Sequence, residues 1–349
     1  MLMASVLFAE VALAQFSLTT IGSPVNQPFN LTPGDPNAAL PTGWRASVSS
    51  TTTDWSSMQS ATSQVGGTTA AVSTGGTYNF GDGASATATD RAVGFLSSSG
   101  YNGARSIAVR FTNNTGQTIT SLDVAFNYEK YRNGTNAAGY IWRFFHGSGT
   151  IAATAATAGD QAYPPDANNN AVNPASSVGK SVTLTGLSIA NGASYTLRWE
   201  YAVQSGSTWT NAQALGLDNV SITAFAVVNT SVQFVGTSSS AGENSGTANL
   251  ALAITNPSTT NSTTVTIGAT GATGRISGHS TSVTFPANSS SNENCVVTLS
   301  NDLLCNGNEN VVFTITGISG GDGTPTIGVN GTHTLTVNDD ETAVDPVAT

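Results

Sequence analysis

Charge is scarce in this sequence, and positive charge is its scarcest part. Only 9% of the 349 residues are charged, with 10 Lys and Arg against 20 Asp and Glu, so the formal net charge is −10 at pH 7. Nucleic acid needs a basic patch that faces its phosphates, and anionic lipid needs clustered Lys and Arg. The composition therefore predicts neither as a partner. It remains compatible with calcium, which takes oxygen ligands.

Residue clusters typical of catalysis are also missing. None of the three histidines, His146, His279 and His333, has a metal-ligand spacing to another histidine or to a cysteine. Residues 317–321 match the G-x-S-x-G pattern of hydrolases. That pattern requires a helix to follow, and the Asp-Gly-Thr-Pro found next cannot comfortably begin one. We therefore predict that the chain is not an enzyme.

No apolar run is long enough to cross a membrane, which takes about 20 residues. The short apolar segment 1–14 resembles the end of a secretory signal, because Ala12-Leu13-Ala14 forms a small-x-small cleavage pattern before Gln15. A basic start is missing, and Glu10 interrupts the run. The signal interpretation predicts a secreted, extracellular protein. The alternative is a retained apolar strand that pairs with a sheet edge of a neighbouring molecule.

Cysteine is limited to Cys295 and Cys305, ten residues apart. A disulfide between them would stabilise the fold by roughly 2.5–3 kcal/mol in the chain-entropy model. Such a bond is expected only outside the cytosol, so the secretory pattern of residues 1–14 favours it. Two free, buried thiols are the alternative.

Glycine and short alternating apolar runs are abundant. The chain contains 37 Gly and 39% apolar residues. Ile107, Val109 and Phe111 form one alternating run, and Leu197 and Trp199 belong to another. Period-two alternation between Gly and Asn turns is typical of half-buried strands. With no helical period present, the pattern predicts an all-β chain of antiparallel sandwiches.

Residues 15–228 are predicted to form the first domain, and four motifs in it carry a resemblance. In chain order they are LPTGW, GYIWRFF, YTLRWEY and LGLDNVSI. Over residues 17–226 the sequence resembles the jelly-roll domains of secreted bacterial surface proteins and carbohydrate-binding modules. The resemblance implies that an acidic residue of the last strand, here Asp218, binds a structural calcium. The alternative is that Asp218 caps a turn through its own backbone.

Residues 229–341 are predicted to form a second sandwich of immunoglobulin-like size, followed by a tail at 342–349. Its organising segment, 292–317, reads as strand, acidic turn, strand. Alternating apolar residues flank the turn on both sides: Val297, Leu299, Val311, Phe313 and Ile315. A turn rich in carboxylate and amide oxygens on a rigid β scaffold suits a hard cation such as calcium.

This second segment resembles the Calx-beta family over residues 231–341. The matching motifs are VQFVGTSSSAGENSGTANLALAI, SVTFPANSS, NDLLCNGNENVVFTI and HTLTVNDDE. Calcium ligands of the family cluster at one end of the sandwich, and the resemblance implies these: Glu243, Asp302, Glu309, Asp339 and Asp340. Residues 276–279 replace the Gly-x-Asp-Tyr usual in the family, so one ligand is lost. The alternative is that these acids only form solvated turns.

Two hypotheses about function follow. The first is a structural or adhesive surface protein stiffened by calcium, extending to a filament subunit that contacts itself through residues 1–16 or its sheet edges. The second is a carbohydrate-binding module detached from a larger secreted enzyme, because sugars stack on exposed aromatic rings. The rings in polar, turn-rich surroundings are Trp55, Tyr131, Tyr163 and Trp209. Ordinary loop packing is the alternative for each ring.

Overall fold

The computed structural model describes residues 15–50 and 52–342. The signal-like segment 1–14 and residues 343–349 of the predicted tail lie outside the described residues. The chain divides into two compact units, of which the first ends at Ala226 and the second begins at Val227.

The first unit is built from two seven-stranded sheets. Its strands are β1 (Phe16–Leu18), β2 (Pro24–Gln27), β3 (Trp44–Ala46), β4 (Gln64–Gly67), β5 (Gly76–Gly81), β6 (Arg91–Leu96), β7 (Arg105–Asn113), β8 (Ile119–Arg132), β9 (Tyr140–Gly147), β10 (Thr154–Ala155), β11 (Gln161–Tyr163), β12 (Ala171–Leu184), β13 (Ser194–Val203) and β14 (Ala214–Ala226). One sheet has the order β1-β7-β13-β9-β10, with β3 added to β7 and β11 to β9. The other has the order β12-β8-β14-β6-β5-β4, with β2 added to β14.

The alternating residues of the first unit supply its core. Trp199 of β13 stands opposite Ile107 of β7 and Phe144 of β9, and all three side chains are buried. Trp199 stacks on Phe144 with ring centroids 5.1 Å apart. Large rings on successive inward positions fill the space between the sheets, which is the packing that the alternation predicts.

The second unit is a sandwich of two five-stranded sheets. Its strands are β15 (Ser231–Phe234), β16 (Ser238–Gly242), β17 (Thr247–Thr255), β18 (Thr263–Gly271), β19 (Ile276–His279), β20 (Ser282–Phe285), β21 (Glu293–Leu299), β22 (Glu309–Gly320), β23 (Thr326–Ile327) and β24 (Thr332–Asn338). One sheet has the order β19-β21-β17-β15-β23, and the other has the order β16-β24-β22-β18-β20.

The strands on both sides of the acidic turn are present, and they belong to different sheets. β21 pairs with β17 and β19, whereas β22 pairs with β18 and β24. Their inward residues Val297, Val311 and Phe313 are fully buried. The turn between them therefore crosses from one sheet of the sandwich to the other.

The all-β sandwich class predicted from the sequence is confirmed. Helical structure in the described residues is limited to four single 3-10 turns, at Trp55–Ser57, Thr157–Gly159, Glu243–Ser245 and Thr273–Arg275. Among those residues, no helix combines the length and the apolar character needed to cross a membrane.

The predicted disulfide is wrong, because both thiols are free. Cys295 faces the core of the second unit, where its Sγ donates to the Ser280 carbonyl. It precedes the end of β21 by four residues, or roughly 13 Å at about 3.3 Å per residue. Cys305 is exposed in the loop beyond that end. Cysteines whose Cα atoms are more than about 7 Å apart cannot be bridged without moving the backbone.

Candidate functional site

One end of the second sandwich gathers acidic residues from three loops and the start of β22. β16 and β24 run parallel and finish together, with Gly242 opposite Asn338. The acids placed there, called the acidic tip below, are Glu243, Asp302, Glu309, Asp339, Asp340 and Glu341. Five of these six come from the Calx-beta resemblance, and the structure brings all five to the same end. Glu341 was not predicted, although it directly follows the predicted pair 339–340.

Glu243 is the buried member of the acidic tip. It opens the 3-10 turn Glu243–Ser245 after β16, and its side chain is fully buried. Its Oε2 forms a close ion pair with Arg275 Nη2, whereas its Oε1 has no hydrogen-bond partner. Because a buried carboxylate is costly unless it is paired, this position requires a neighbouring cation or a proton.

Three carboxylates of the acidic tip offer oxygens to a common point. One oxygen each from Glu243, Asp340 and Glu341 lie within 4.8 Å of one another. Asn244 Nδ2 donates to Asp340 Oδ2 at 2.7 Å, and this hydrogen bond orients the Asp340 carboxylate. Burial raises the pKa of Glu341 to about 7, and the neighbouring acids Glu243 and Asp340 add to the shift. The three acids therefore repel one another in the absence of a cation.

A basic side chain that the sequence analysis missed lies within the acidic tip. Arg275 ends the 3-10 turn Thr273–Arg275 between β18 and β19, and its guanidinium pairs with four carboxylates. Its Nη1 lies 3.4 Å from Asp302, its Nε 3.5 Å from Glu309 and its Nη2 3.6 Å from Asp339. Nη2 also forms a close pair with Glu243.

The backbone around Arg275 holds that side chain in place. The Arg275 N–H donates to the Ala272 carbonyl, and the Arg275 carbonyl accepts from Ser300 N–H, both at 3.0 Å. A sequence signal for this residue does exist. Between residues 227 and 349 Arg275 is the only Lys or Arg, against nine Asp and Glu, so an isolated positive charge stands among acids.

The acids of the tip divide into a group that could hold a cation and a group that faces Arg275. The oxygens of Glu243, Asp340 and Glu341 have the chemistry and the spacing for a hard cation. Asp302, Glu309 and Asp339 instead face the guanidinium. The Gly307 N–H donates to Asp339 at 2.8 Å, and this bond is the main cause that lowers the pKa of Asp339. Of the five predicted ligands, Glu243 and Asp340 thus lie in the calcium-compatible group.

Asp218, the acid predicted in the first unit, lies in β14 opposite Asn127 of β8. It is fully buried, and neither carboxylate oxygen has a hydrogen-bond partner. Burial raises the pKa of Asp218 to about 8, and the nearby acids Glu129 and Asp90 add to the shift. At neutral pH this carboxyl is protonated unless a cation joins it.

The rings proposed to stack on sugars are mostly inaccessible. Trp55, Tyr131 and Tyr163 are buried, which contradicts the exposure expected of them. Trp55 Nε1 donates to the Gly43 carbonyl at 2.8 Å, and Tyr131 stacks on Phe80. Trp209 is only partly buried and packs edge-on against Tyr140. Polar neighbours in the sequence misled the prediction, because Tyr131 and Tyr163 occupy buried positions of strands β8 and β11.

The first unit contains a polar pocket of about 210 Å³. Arg132 lines it together with the hydroxyls of residues 97–99, and Thr210, which directly follows Trp209, closes one side. Arg132 Nη1 donates to the Ala212 carbonyl. The Ser97 hydroxyl is buried without a hydrogen-bond partner.

Comparison with known proteins gives similarity of fold. No family model matches the chain, and no curated protein matches it. Among solved structures, the apo form of the Calx CBD1 domain is 14% identical, covering 33% of this chain and 100% of its own, with a TM-score of 0.29. The K1 adhesin domain of Lys-gingipain from Porphyromonas gingivalis W83 is 12% identical, covering 58% and 99%, with a TM-score of 0.33.

The CBM22-1 xylan-binding domain of Xyn10C from Paenibacillus barcinonensis is 10% identical, covering 60% of this chain and 100% of its own, with a TM-score of 0.28. The Calx and carbohydrate-binding resemblances stated from the sequence are thus both found among solved structures. At these identities the likeness concerns the fold alone, and the chain is similar to β-sandwich domains of both kinds.

Proposed function

We propose that this chain is a non-enzymatic structural or adhesive protein that acts outside the cell, and that its acidic tip binds one calcium ion. The observation that carries the proposal is the fully buried Glu243 carboxylate, whose Oε1 lacks a hydrogen bond and which shares a common point with Asp340 and Glu341. An ion there would tie the turn after β16 to the residues after β24, and so fix the end of the sandwich.

The charge of the acidic tip supports a divalent ion. The acidic tip holds six carboxylates and one guanidinium, so it keeps a net charge of −5 when every acid is ionised. Like charges a few ångströms apart repel strongly in a partly buried site. Extracellular modules bind calcium with Kd values of about 10⁻⁴–10⁻³ M, and a site of three carboxylates in an otherwise weakly charged surface suits that regime.

Calcium titration by calorimetry tests the proposal on the full chain. Wild type is expected to bind one ion, and Glu243→Gln or Glu341→Gln to lower the affinity at least tenfold. Glu293→Gln is the matched control, because Glu293 begins β21 at the opposite end of the sandwich from the acidic tip. The proposal is contradicted if calcium gives no heat of binding with the wild-type chain and does not shift its melting temperature.

Self-association into a filament is the finer part of the proposal, and an apolar sheet edge supports it. β23 is an edge strand of only two residues. It exposes Ile327, and Val329 just beyond it is 94% exposed. An unpaired sheet edge offers backbone groups to another chain, and exposed apolar side chains such as Ile327 and Val329 add contact area there. Electron microscopy should show assemblies that Val329→Asp disperses, whereas dispersed monomers with and without calcium would count against a filament.

Carbohydrate binding by the first unit is the second candidate, favoured by the polar pocket that Arg132 and the hydroxyls of residues 97–99 line. A guanidinium and several hydroxyls are groups that fix the orientation of a sugar, and the partly buried ring of Trp209 directly precedes the lining residue Thr210 in the sequence. On a glycan array, Arg132→Gln and Trp209→Ala are expected to lose whatever signal wild type gives. Lys180→Gln, which removes a positive charge that does not line the pocket, should keep it. An array without hits for wild type removes this candidate.

A further inference from the structure

We infer that Arg275 is a built-in cation that takes the place of a divalent ion at the acidic tip. The tip then holds one calcium ion instead of several, and the second unit keeps its fold when metal is withheld. The number of ions expected for wild type rests on the proposed function, whereas the role of Arg275 rests on its own contacts.

The guanidinium of Arg275 lies at the centre of a group of four carboxylates. Its Nη1, Nε and Nη2 atoms each face a different carboxylate at 3.4–3.6 Å, and Nη2 also contacts Glu243. Three separate loops and the start of β22 supply these four acids. The Arg275 side chain is only 6% exposed, so the guanidinium is enclosed by the carboxylates in the manner of a bound ion.

Burial decides which of these pairs matters most. Exposed ion pairs contribute little because water and salt screen them, and Asp302 and Glu309 have side chains that are 42% and 46% exposed. Glu243 is fully buried and Asp339 nearly so. Removal of one partner of a buried pair is strongly destabilising because it leaves an uncompensated charge. Arg275 therefore acts chiefly by neutralising Glu243 and Asp339.

The group around Arg275 would become a calcium site if the guanidinium were absent. Glu243, Asp302, Glu309 and Asp339 would then direct oxygens at one vacated space, and oxygen ligands in such number are what calcium takes. Arg275 prevents this because its guanidinium occupies that space and supplies the positive charge. It is also tethered to the backbone, so its occupancy does not depend on calcium in solution.

Truncation of Arg275 in the full chain tests the inference through ion number and stability. Arg275→Ala is expected to bind one calcium ion more than wild type. Its second unit should melt at least 5 °C lower than wild type in chelator, and regain most of that loss in 10 mM calcium. Arg275→Lys keeps the positive charge and should bind the same number of ions as wild type. Calorimetric titration gives the ion number, and scanning calorimetry gives the melting temperatures.

The outcomes separate this inference from the proposed function. If wild type binds no calcium and Arg275→Ala binds one ion, the wild-type site fails and the role of Arg275 stands. If both chains bind one ion, the site stands and the inference is overturned. A melting loss in Arg275→Ala that calcium does not restore also overturns it, because the guanidinium would then be needed for packing.

The double variant Glu243→Gln with Arg275→Ala covers the case in which the single variant does not fold. Removal of the buried acid along with its cation should restore part of the stability in chelator, since no uncompensated charge remains on Glu243. A double variant as unstable as Arg275→Ala alone would mean that charge neutralisation is not what the guanidinium does, and the inference would fall.

Discussion

The buried acidic residues of this protein differ in how their charge is compensated. Glu243 contacts the guanidinium of Arg275. Glu129 accepts a hydrogen bond from the Tyr131 hydroxyl, and burial raises its pKa. Asp218 has no partner for either oxygen, so a proton or an ion must supply what its surroundings lack. The last case makes a prediction about pH.

The pKa of Asp218 predicts that the first unit loses stability as pH rises from about 4 to about 8. The folded value of about 8 lies above the ordinary value of 3.8, so between these pH values the folded chain holds a proton that the unfolded chain has released. Each pKa unit corresponds to roughly 1.4 kcal/mol. Asp218→Asn should remove this slope and exceed wild type in stability by several kcal/mol at pH 8.

Urea unfolding at pH 5 and pH 8, followed by Trp fluorescence, measures this effect. All five Trp residues precede Ala226, so the signal reports the first unit alone. Equal pH slopes in wild type and Asp218→Asn would contradict the prediction. The calcium site implied by the jelly-roll resemblance stays a prediction, and it is tested in the same experiment. Calcium at pH 8 should then stabilise wild type and leave Asp218→Asn unchanged.

Thiol reactivity tests the correction made to the two cysteines. Cys305 is exposed, whereas Cys295 is buried and burial raises its pKa to about 11. A thiol reagent at pH 8 should modify one cysteine in the native chain and both in denaturant, because the thiolate is the reactive form. Cys305→Ser should leave the native chain unreactive. A chain without titratable thiols in denaturant would restore the disulfide.

The strands could be predicted from the sequence wherever one of their faces is apolar. Val297 before the acidic turn and Phe313 after it were expected to be buried, and both are. The alternation could not show that β21 and β22 belong to different sheets. A period of two determines which face of a strand is buried, but it does not determine which strand pairs with it. Arg275 was missed for a similar reason, since its four partners are distant in the sequence.

Close approach between β6 and β14 gives a prediction that periodicity could not supply. Gly94 stands opposite Gly216, and a Cβ on Gly94 would lie 2.1 Å from the Leu215 carbonyl oxygen. Gly94→Ala should therefore force the two strands apart and destabilise the first unit by about 2–4 kcal/mol. Gly100→Ala is the matched control, because nothing lies within 4 Å of its added Cβ. Urea unfolding followed by Trp fluorescence measures both, and equal stability of the two variants would contradict the predicted collision.

In the molecule as a whole, each of the two units buries a hydrophobic core of its own. Their compositions differ in a way that makes them separable, because every Trp and Tyr precedes residue 227. The second unit contains a single Lys or Arg and nine acids, so metal and ionic strength should act mainly on it. The resemblances in the sequence predicted two sandwiches. The distribution of charge and aromatic rings adds that metal and salt should affect the second unit, whereas Trp fluorescence reports the first.

Calcium should accordingly raise the melting temperature of one unit only. We expect two transitions in scanning calorimetry, of which the second unit's moves upward by several degrees between chelator and 5 mM calcium at neutral pH. The transition seen by Trp fluorescence should not move, because an ion that binds only the folded acidic tip stabilises only the unit that contains it. Gly94→Ala assigns the other transition, since it destabilises the first unit. Movement of both transitions by calcium, with Asp218→Asn abolishing the shift in fluorescence, would instead place a second ion in the first unit.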